Sequence, residues 1–217
     1  MSANGRTDVP SLSEQAYRVL EENLVTLKLQ PGAVVSEGRL IDLTGLGRTP
    51  VREAMQRLAD QELFEVMPRK GLLVAPVSLP DMLHILEARR PLERVLVSRA
   101  AIHARDEQRS GLAAVARDLA LAHDSLERFL RHDRELDVLL DDCAGNPFAS
   151  KAVAPLRIHC RRFWFYYRHR LQLSDAISAH ARLARLVARR DPHGAEKAVD
   201  GVIGVLERLV GMVERFA

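Results

Sequence analysis

Three residues in the N-terminal part of the chain have the types and spacing needed to contact a nucleic acid. Arg48, Arg52 and Gln56 recur every four positions, so a helix would place them on one face. Arginine pairs well with the O6 and N7 atoms of guanine and also binds phosphates. The alternative is a solvated helix face that happens to carry two arginines.

These side chains need a helix whose opposite face is anchored in a core. The segment from about 48 to 60 fits, because Val51, Ala54 and Leu58 fall opposite the polar face. Gly45 permits a tight turn before the segment, where a positive φ is expected. The pattern is typical of a recognition helix that enters the major groove of DNA.

A β-hairpin is predicted after this helix, in residues 63–77. The spacing of apolar residues changes there from a helical repeat to alternation with polar residues. Pro68 and Gly71 are residue types that favour a turn between two strands. Arg69 and Lys70 at the tip would contact phosphates or the neighbouring minor groove. Such contacts set the register of a protein on DNA more than its sequence preference.

The order of the elements predicts a mainly α fold in two parts. Two helices precede the recognition helix, one starting at the capping box Ser11 to Glu14 and one capped by Ser36. Three helices and a hairpin make a winged helix-turn-helix at residues 11–77, after a flexible N-terminus at 1–10. A hinge is expected at 78–82, followed at 83–217 by an all-α antiparallel helical bundle of six helices.

Composition narrows the class of protein. The chain has 217 residues, of which 47% are hydrophobic and 28% charged, so it is long enough for two small cores. No segment predicts a membrane span or a signal peptide. The two cysteines form no CxxC pair and indicate reduced thiols in a cytoplasmic protein.

The N-terminal part resembles the GntR family of regulators. The similarity rests on Gln30-Pro31-Gly32, on the run from Gly47 to Leu58 with its RTPVREA core, and on the PRKG turn. It implies that Arg48, Thr49 and Arg52 contact DNA, with Gly71 at the wing tip. Relatives often have Ser or Thr at position 47 and Arg at position 38, where this chain has glycine. A contact is then either missing at Gly38 or supplied by Arg39.

The remainder resembles the FCD ligand-binding domain of FadR-like regulators, through its EARRPLE, DRELD and AGNP segments. Many such domains hold a divalent metal with one Asp and three His. The resemblance assigns those positions to Asp133, Asp137, His180 and Val202, so the set is incomplete. Two carboxylates at i, i+4 and one imidazole could still bind a zinc-like cation, and no cofactor is required.

Arg89 is the other candidate that this resemblance implies. In such domains an arginine on this helix faces a cavity and pairs with an organic-acid effector, together with Asp133, Asp137 and His180 as further effector-binding positions. The alternative is a salt bridge from Arg89 to Asp133 or Asp137. In the run 161–168, helical spacing predicts that the side with Phe163, Tyr166 and Tyr167 packs inside and that the arginines face water. The alternative is that these aromatic rings stack on nucleic acid.

These observations predict a repressor, not an enzyme, that binds palindromic double-stranded operator DNA as a homodimer in the cytoplasm. A small-molecule effector would modulate its affinity for the operator, and no membrane is involved. The alternative function is a helical-bundle metal-dependent enzyme with an appended nucleic-acid-binding module. It is disfavoured because the chain lacks the Glu-x-x-His pairs of di-iron bundles.

Overall fold

The computed structural model describes residues 10–122 and 125–215. The chain divides between Val77 and Ser78 into two compact units. Of the predicted flexible N-terminus, all but Pro10 lies outside the described residues. Among the described helices, none is both long and apolar enough to cross a membrane.

The N-terminal unit is a winged helix. Its elements are α1 (Leu12–Val25), β1 (Val34–Val35), α2 (Glu37–Thr44), α3 (Arg48–Asp60), β2 (Phe64–Met67) and β3 (Gly71–Val74). The Oγ atoms of Ser11 and Ser36 cap α1 and α2 by accepting backbone N–H groups. The core forms where α1 packs on α3, around fully buried leucines such as Leu20 and Leu58.

The sheet has three antiparallel strands in the order β1-β3-β2. Val34 pairs with Leu73, and Phe64 pairs with Val74. The hairpin of β2 and β3 was predicted, whereas β1 was not. A strand of two residues is too short to show an alternating pattern, and its formation depends on the edge that β3 offers.

The second unit is helical. Its elements are α4 (Leu79–His103), α5 (Asp106–Ala120), α6 (Leu126–Ala144), α7 (Pro147–Tyr166), a 3-10 turn (Arg168–Arg170), α8 (Leu173–Ala188) and α9 (Pro192–Glu214). Helix α4 packs against α6, α7 and α9, while α5 packs against α8. The mainly α fold, with an N-terminal winged helix and a helical second part, is thus confirmed.

The segment predicted as a hinge, residues 78–82, takes a different form. Ser78 caps α4 by accepting the N–H of Asp81 at 3.3 Å, and 79–82 form the first helical turn. Pro80 is tolerated there because the first turn of a helix needs no backbone donor. The sequence pattern was therefore that of a helix start and not of a flexible linker.

Candidate nucleic-acid interface and candidate ligand site

Helix α3 separates its polar and apolar residues as its spacing predicted. Val51, Ala54 and Leu58 are buried against the rest of the unit. The predicted DNA-contacting residues of this helix are all exposed: Arg48, Thr49, Arg52 and Gln56. The core thus holds the helix while its outer face stays free for a partner.

The turn between α2 and α3 sets the direction of this face. Gly45 ends α2 with a φ of 67° and donates its N–H to the carbonyl of Ile41, which is the left-handed conformation expected of this glycine. Gly47 then occupies the N-cap of α3 and supplies no side-chain cap. Because glycine costs little at a cap, the helix starts at Arg48 without one.

Two ion pairs distinguish the arginines of α3. Arg52 donates from Nε to the Oε1 of Glu37 at 2.9 Å, and this bond lowers the pKa of Glu37. Arg57 instead lies over the ring of Tyr17, at 3.7 Å from its centroid, and pairs with Glu14. Arg57 therefore serves the packing of α3 on α1, whereas Arg52 stays on the outer face.

A concave surface joins the recognition helix to the wing. This cleft has a volume of about 410 Å³, and Arg52, Gln56 and Arg69 are among its lining residues. Arg69 takes a φ of 66° in the turn, and Lys70 donates its N–H to the carbonyl of Met67. The fold therefore brings the predicted helix and wing contacts to one surface.

Arg39 lies exposed in the first turn of α2. At the preceding position, an added Cβ on Gly38 would meet nothing closer than Ser36 Oγ at 3.9 Å. Packing therefore does not require glycine at position 38. Arg39 remains the predicted substitute for the arginine that relatives carry there.

Gly71 begins β3 at a point where no other residue fits. Its φ is 112°, and an added Cβ would lie 2.5 Å from the carbonyl oxygen of Val35. The glycine is thus explained by the close approach of β1 and β3 next to the hairpin turn.

We expect Gly71→Ala to lower the free energy of unfolding by about 2–3 kcal/mol, since strain and a backbone clash add together. Urea denaturation followed by circular dichroism measures the change. Gly38→Ala is the matched control and should be neutral or slightly stabilising, because alanine favours a helix. Equal effects of the two substitutions would show that position 71 tolerates a side chain.

In the helical unit, the four predicted ligand-site residues are all buried. Arg89, Asp133, Asp137 and His180 are each at most 8% exposed. Arg89 donates from Nε to Glu93 Oε1 at 2.8 Å. Arg89 therefore forms a bundle salt bridge, with Glu93 and not with the two aspartates considered from the sequence.

Two arginines complete this cluster. Arg161 was expected to face water, and Arg157 was not singled out from the sequence. Arg161 is 7% exposed and contacts both Asp133 and Asp137. Arg162 is also buried and Tyr166 is exposed, so the prediction that the aromatic side packs inside and the arginines face water is wrong for these three residues. Arg157, one turn earlier, contacts Glu93 and Asp137. The missed signal was the four-residue spacing of the two arginines, which matches that of the aspartates.

Burial and these partners push the carboxyl pKa values apart. Burial opposes ionisation of Asp133, but its hydrogen bond and charge interaction with His180, together with the charges of Arg161 and Arg89, outweigh burial and lower its pKa. Burial raises the pKa of Asp137 to about 6, against the opposing charge of Arg157. For Glu93, burial is outweighed by Arg157 and Arg89, which lower its pKa to about 2.

His180 is held on both ring nitrogens. Nδ1 lies 2.7 Å from the carbonyl of Ala176, so it donates, and Nε2 lies 3.2 Å from Asp133 Oδ1. Val202 is buried in the apolar face of α9. Within residues 10–122 and 125–215, no three or more His, Cys, Asp or Glu side chains are grouped so as to hold a metal ion.

Comparisons with known proteins agree with both units. Residues 84–204 match the FCD domain family, and residues 12–74 match the family described as bacterial regulatory proteins, gntR family. The HTH-type transcriptional repressor GlaR of Escherichia coli (strain K12) is 29% identical over 82% of this chain and 86% of its own. The HTH-type transcriptional repressor RspR of the same strain is 24% identical over 87% and 84%.

Solved structures show the same fold. Escherichia coli McbR/YncC superposes with a TM-score of 0.82, covering 95% of this chain and all of that one, at 20% identity. The bundle-enzyme alternative fails, because the matched families consist of regulators. The chain therefore belongs to the gntR family of bacterial regulatory proteins, with an FCD domain as its helical unit, and it is a transcriptional regulator and not an enzyme.

Proposed function

We propose that the chain is a repressor that binds a palindromic operator as a homodimer and responds to a small organic acid. The observation that carries the DNA-binding part is the concave surface shared by α3 and the wing, with Arg52, Gln56 and Arg69 along it. GlaR and RspR are named repressors, which supports repression. A protein of this kind acts on DNA in the cytoplasm.

The proposed docking follows from the direction of the side chains. The exposed face of α3 enters the major groove, where Arg48 and Arg52 reach base edges or phosphates. Arg69 and Lys70 meet the backbone beside that groove, because the wing forms the other wall of the cleft. Thr49 and Arg39 lie exposed at the starts of α3 and α2 and would contact phosphates.

Selection from a pool of random double-stranded DNA tests this function directly. The full chain should enrich a palindromic site that it binds about a thousandfold or more tightly than unrelated DNA at the same salt concentration. Enrichment of no common sequence would contradict operator recognition. The same pool without protein shows which sequences amplification favours by itself.

Lys70→Ala should weaken binding to all DNA sequences by a similar factor. The side chain is exposed at the wing tip, where a lysine contacts phosphate and releases a counterion. The slope of log affinity against log salt concentration should therefore decrease in magnitude by about one for each phosphate contact that is lost. Titrations at several salt concentrations measure this slope, and an altered base preference would contradict a phosphate-only role.

The full chain should be a dimer in solution, with twice the 24.3 kDa mass of one chain. Two recognition helices on one palindrome gain affinity without new contacts. Gly201 and Gly211 on α9 support an interface there, because an added Cβ at either position would meet no atom within 4 Å. Light scattering at micromolar concentration measures the mass, and a monomer would contradict the proposal.

The effector part of the proposal rests on the buried charges of the helical unit. Arg89 and His180 could hold a carboxylate if the bundle opens and one ion pair exchanges for the ligand. An effector of this kind shifts the population of operator-binding forms, typically by 5- to 150-fold in affinity. Small mono- and dicarboxylates titrated into the protein–operator complex test it. If none changes the affinity, the effector part fails while operator binding stands.

A further inference from the structure

Asp133 and Asp137 are two of the positions at which related FCD domains carry metal ligands, according to the resemblance. All four of their carboxylate oxygens lie within ion-pair distance of a nitrogen. Asp133 Oδ1 is 3.2 Å from His180 Nε2, and Asp133 Oδ2 is 3.2 Å from Arg161 Nη1. Asp137 Oδ1 is 3.1 Å from Arg157 Nε, and Asp137 Oδ2 is 2.7 Å from Arg161 Nη1. A cation binding here would have to break at least one of these pairs.

Arg161 stands between the two aspartates. A single nitrogen, Nη1, contacts an oxygen of each carboxylate. A guanidinium is permanently charged, so it offsets the repulsion of two carboxyl groups four residues apart. This is the electrostatic task that a bound metal ion performs in a site of this kind.

The charges around the two aspartates are largely offset without a metal. The groups joined by ion pairs in this cluster are the carboxyls of Glu93, Asp133, Asp137 and Asp141, the guanidiniums of Arg89, Arg157 and Arg161, and the imidazole of His180. Four acids therefore face three permanent cations and one imidazole. A divalent ion would add uncompensated positive charge to a buried region, at a large desolvation cost.

The remaining assigned position gives no ligand either. Val202 is 4% exposed and lies with Val199 and Leu206 on the buried apolar face of α9. The residues present therefore do not fit a divalent metal, which needs free lone pairs from at least three protein side chains in the usual zinc sites. The site does not suit a metal for two reasons: valine replaces a ligand at position 202, and the aspartate oxygens are already paired with arginine and histidine nitrogens.

We propose that Arg161 is the resident cation of this FCD domain and replaces the divalent metal of related domains. The side chain reaches the aspartates from α7, and Arg157 one turn earlier holds the far oxygen of Asp137. The helical unit is therefore complete and folded without metal. This inference concerns the bundle alone and does not depend on operator binding or on an effector.

The first measurement uses the full chain purified without an affinity tag or a chelator. Elemental analysis should find far less than one zinc, nickel or manganese ion per chain. Added Zn²⁺ or Mn²⁺ should leave the thermal midpoint of Trp164 fluorescence unchanged relative to EDTA. One tightly held ion per chain, or a midpoint that falls on chelation, would overturn the proposal.

The second measurement removes the guanidinium. In Arg161→Ala the two aspartates lose their shared cation, so Mn²⁺ or Zn²⁺ at roughly a hundred times its Kd should raise the midpoint by about 5–10 °C. Arg161→Lys keeps the charge and should remain unresponsive to metal. If Arg161→Ala folds and gains no response, or if both variants respond equally, Arg161 does not occupy the place of the metal. If Arg161→Ala does not fold, the comparison is made with Arg161→Gln.

Discussion

Replacing Arg157 with methionine should lower the free energy of unfolding of the helical unit by about 3–5 kcal/mol. The side chain is 2% exposed, and its guanidinium contacts Glu93, Asp137 and Asp141. Methionine has a similar length but offers no charge and no donors. The substitution therefore leaves buried carboxylates with fewer partners, and Glu93 keeps its ion pair with Arg89 but loses the one with Arg157.

Urea denaturation measures this loss, with the fluorescence of Trp164 as the signal. Trp164 is the single tryptophan of the chain, and it is buried beside Phe129, at 5.0 Å between ring centroids. Its emission therefore reports the helical unit alone. The midpoint should fall while the dependence on urea stays the same.

Arg94→Met provides the matched control for this prediction. Arg94 also pairs with a carboxylate, that of Asp200, but its side chain is 45% exposed. Removing an exposed ion pair should change the free energy of unfolding by no more than about 1 kcal/mol. If the two substitutions cost the same, burial does not determine the strength of the Arg157 contacts.

Arg52→Ala should weaken binding to the selected operator by about 10- to 100-fold and relax the base preference at one position of each half-site. The side chain is on the outer face of α3 and lines the cleft between helix and wing. Its ion pair with Glu37 is exposed, so the loss of that pair should hardly change stability. Fluorescence anisotropy with operator variants measures both affinity and preference.

Arg57→Ala is the matched control for Arg52→Ala, because it removes an arginine of the same helix that serves packing and not base contact. Arg57 packs on Tyr17 and pairs with Glu14. It should change operator affinity little and leave the base preference intact. An Arg52→Ala variant with unchanged operator affinity would show that the recognition face has been assigned to the wrong residues.

The winged helix was predictable from the sequence because its determinants are local. The face of α3 follows from the spacing of Val51, Ala54 and Leu58, and the preceding turn follows from the φ that Gly45 adopts. The hairpin follows from the change of period and from its turn residues. Strand β1 escaped prediction because a strand of two residues exists only through its pairing with β3.

In the helical unit, local sequence patterns predict the helices but not which charged side chains are buried. Its helix boundaries follow from caps such as Ser78 and Asn146, although the cap at Ser78 was first interpreted as part of a hinge. The burial of Arg161 could not be inferred in this way. A charged side chain on a helix is expected to face water, unless a partner elsewhere compensates the cost of burial.

Those partners are distant in the sequence. Arg161 and Arg157 are both on α7. Arg161 contacts Asp133 and Asp137 on α6, and Arg157 contacts Glu93 on α4. The sequence alone determined the two-part fold, the exposed polar side of α3 that we propose to face DNA, and the residues at which a ligand site was expected. Only the tertiary structure decided that arginines satisfy those aspartates, because ion pairing in a core depends on which helices pack together.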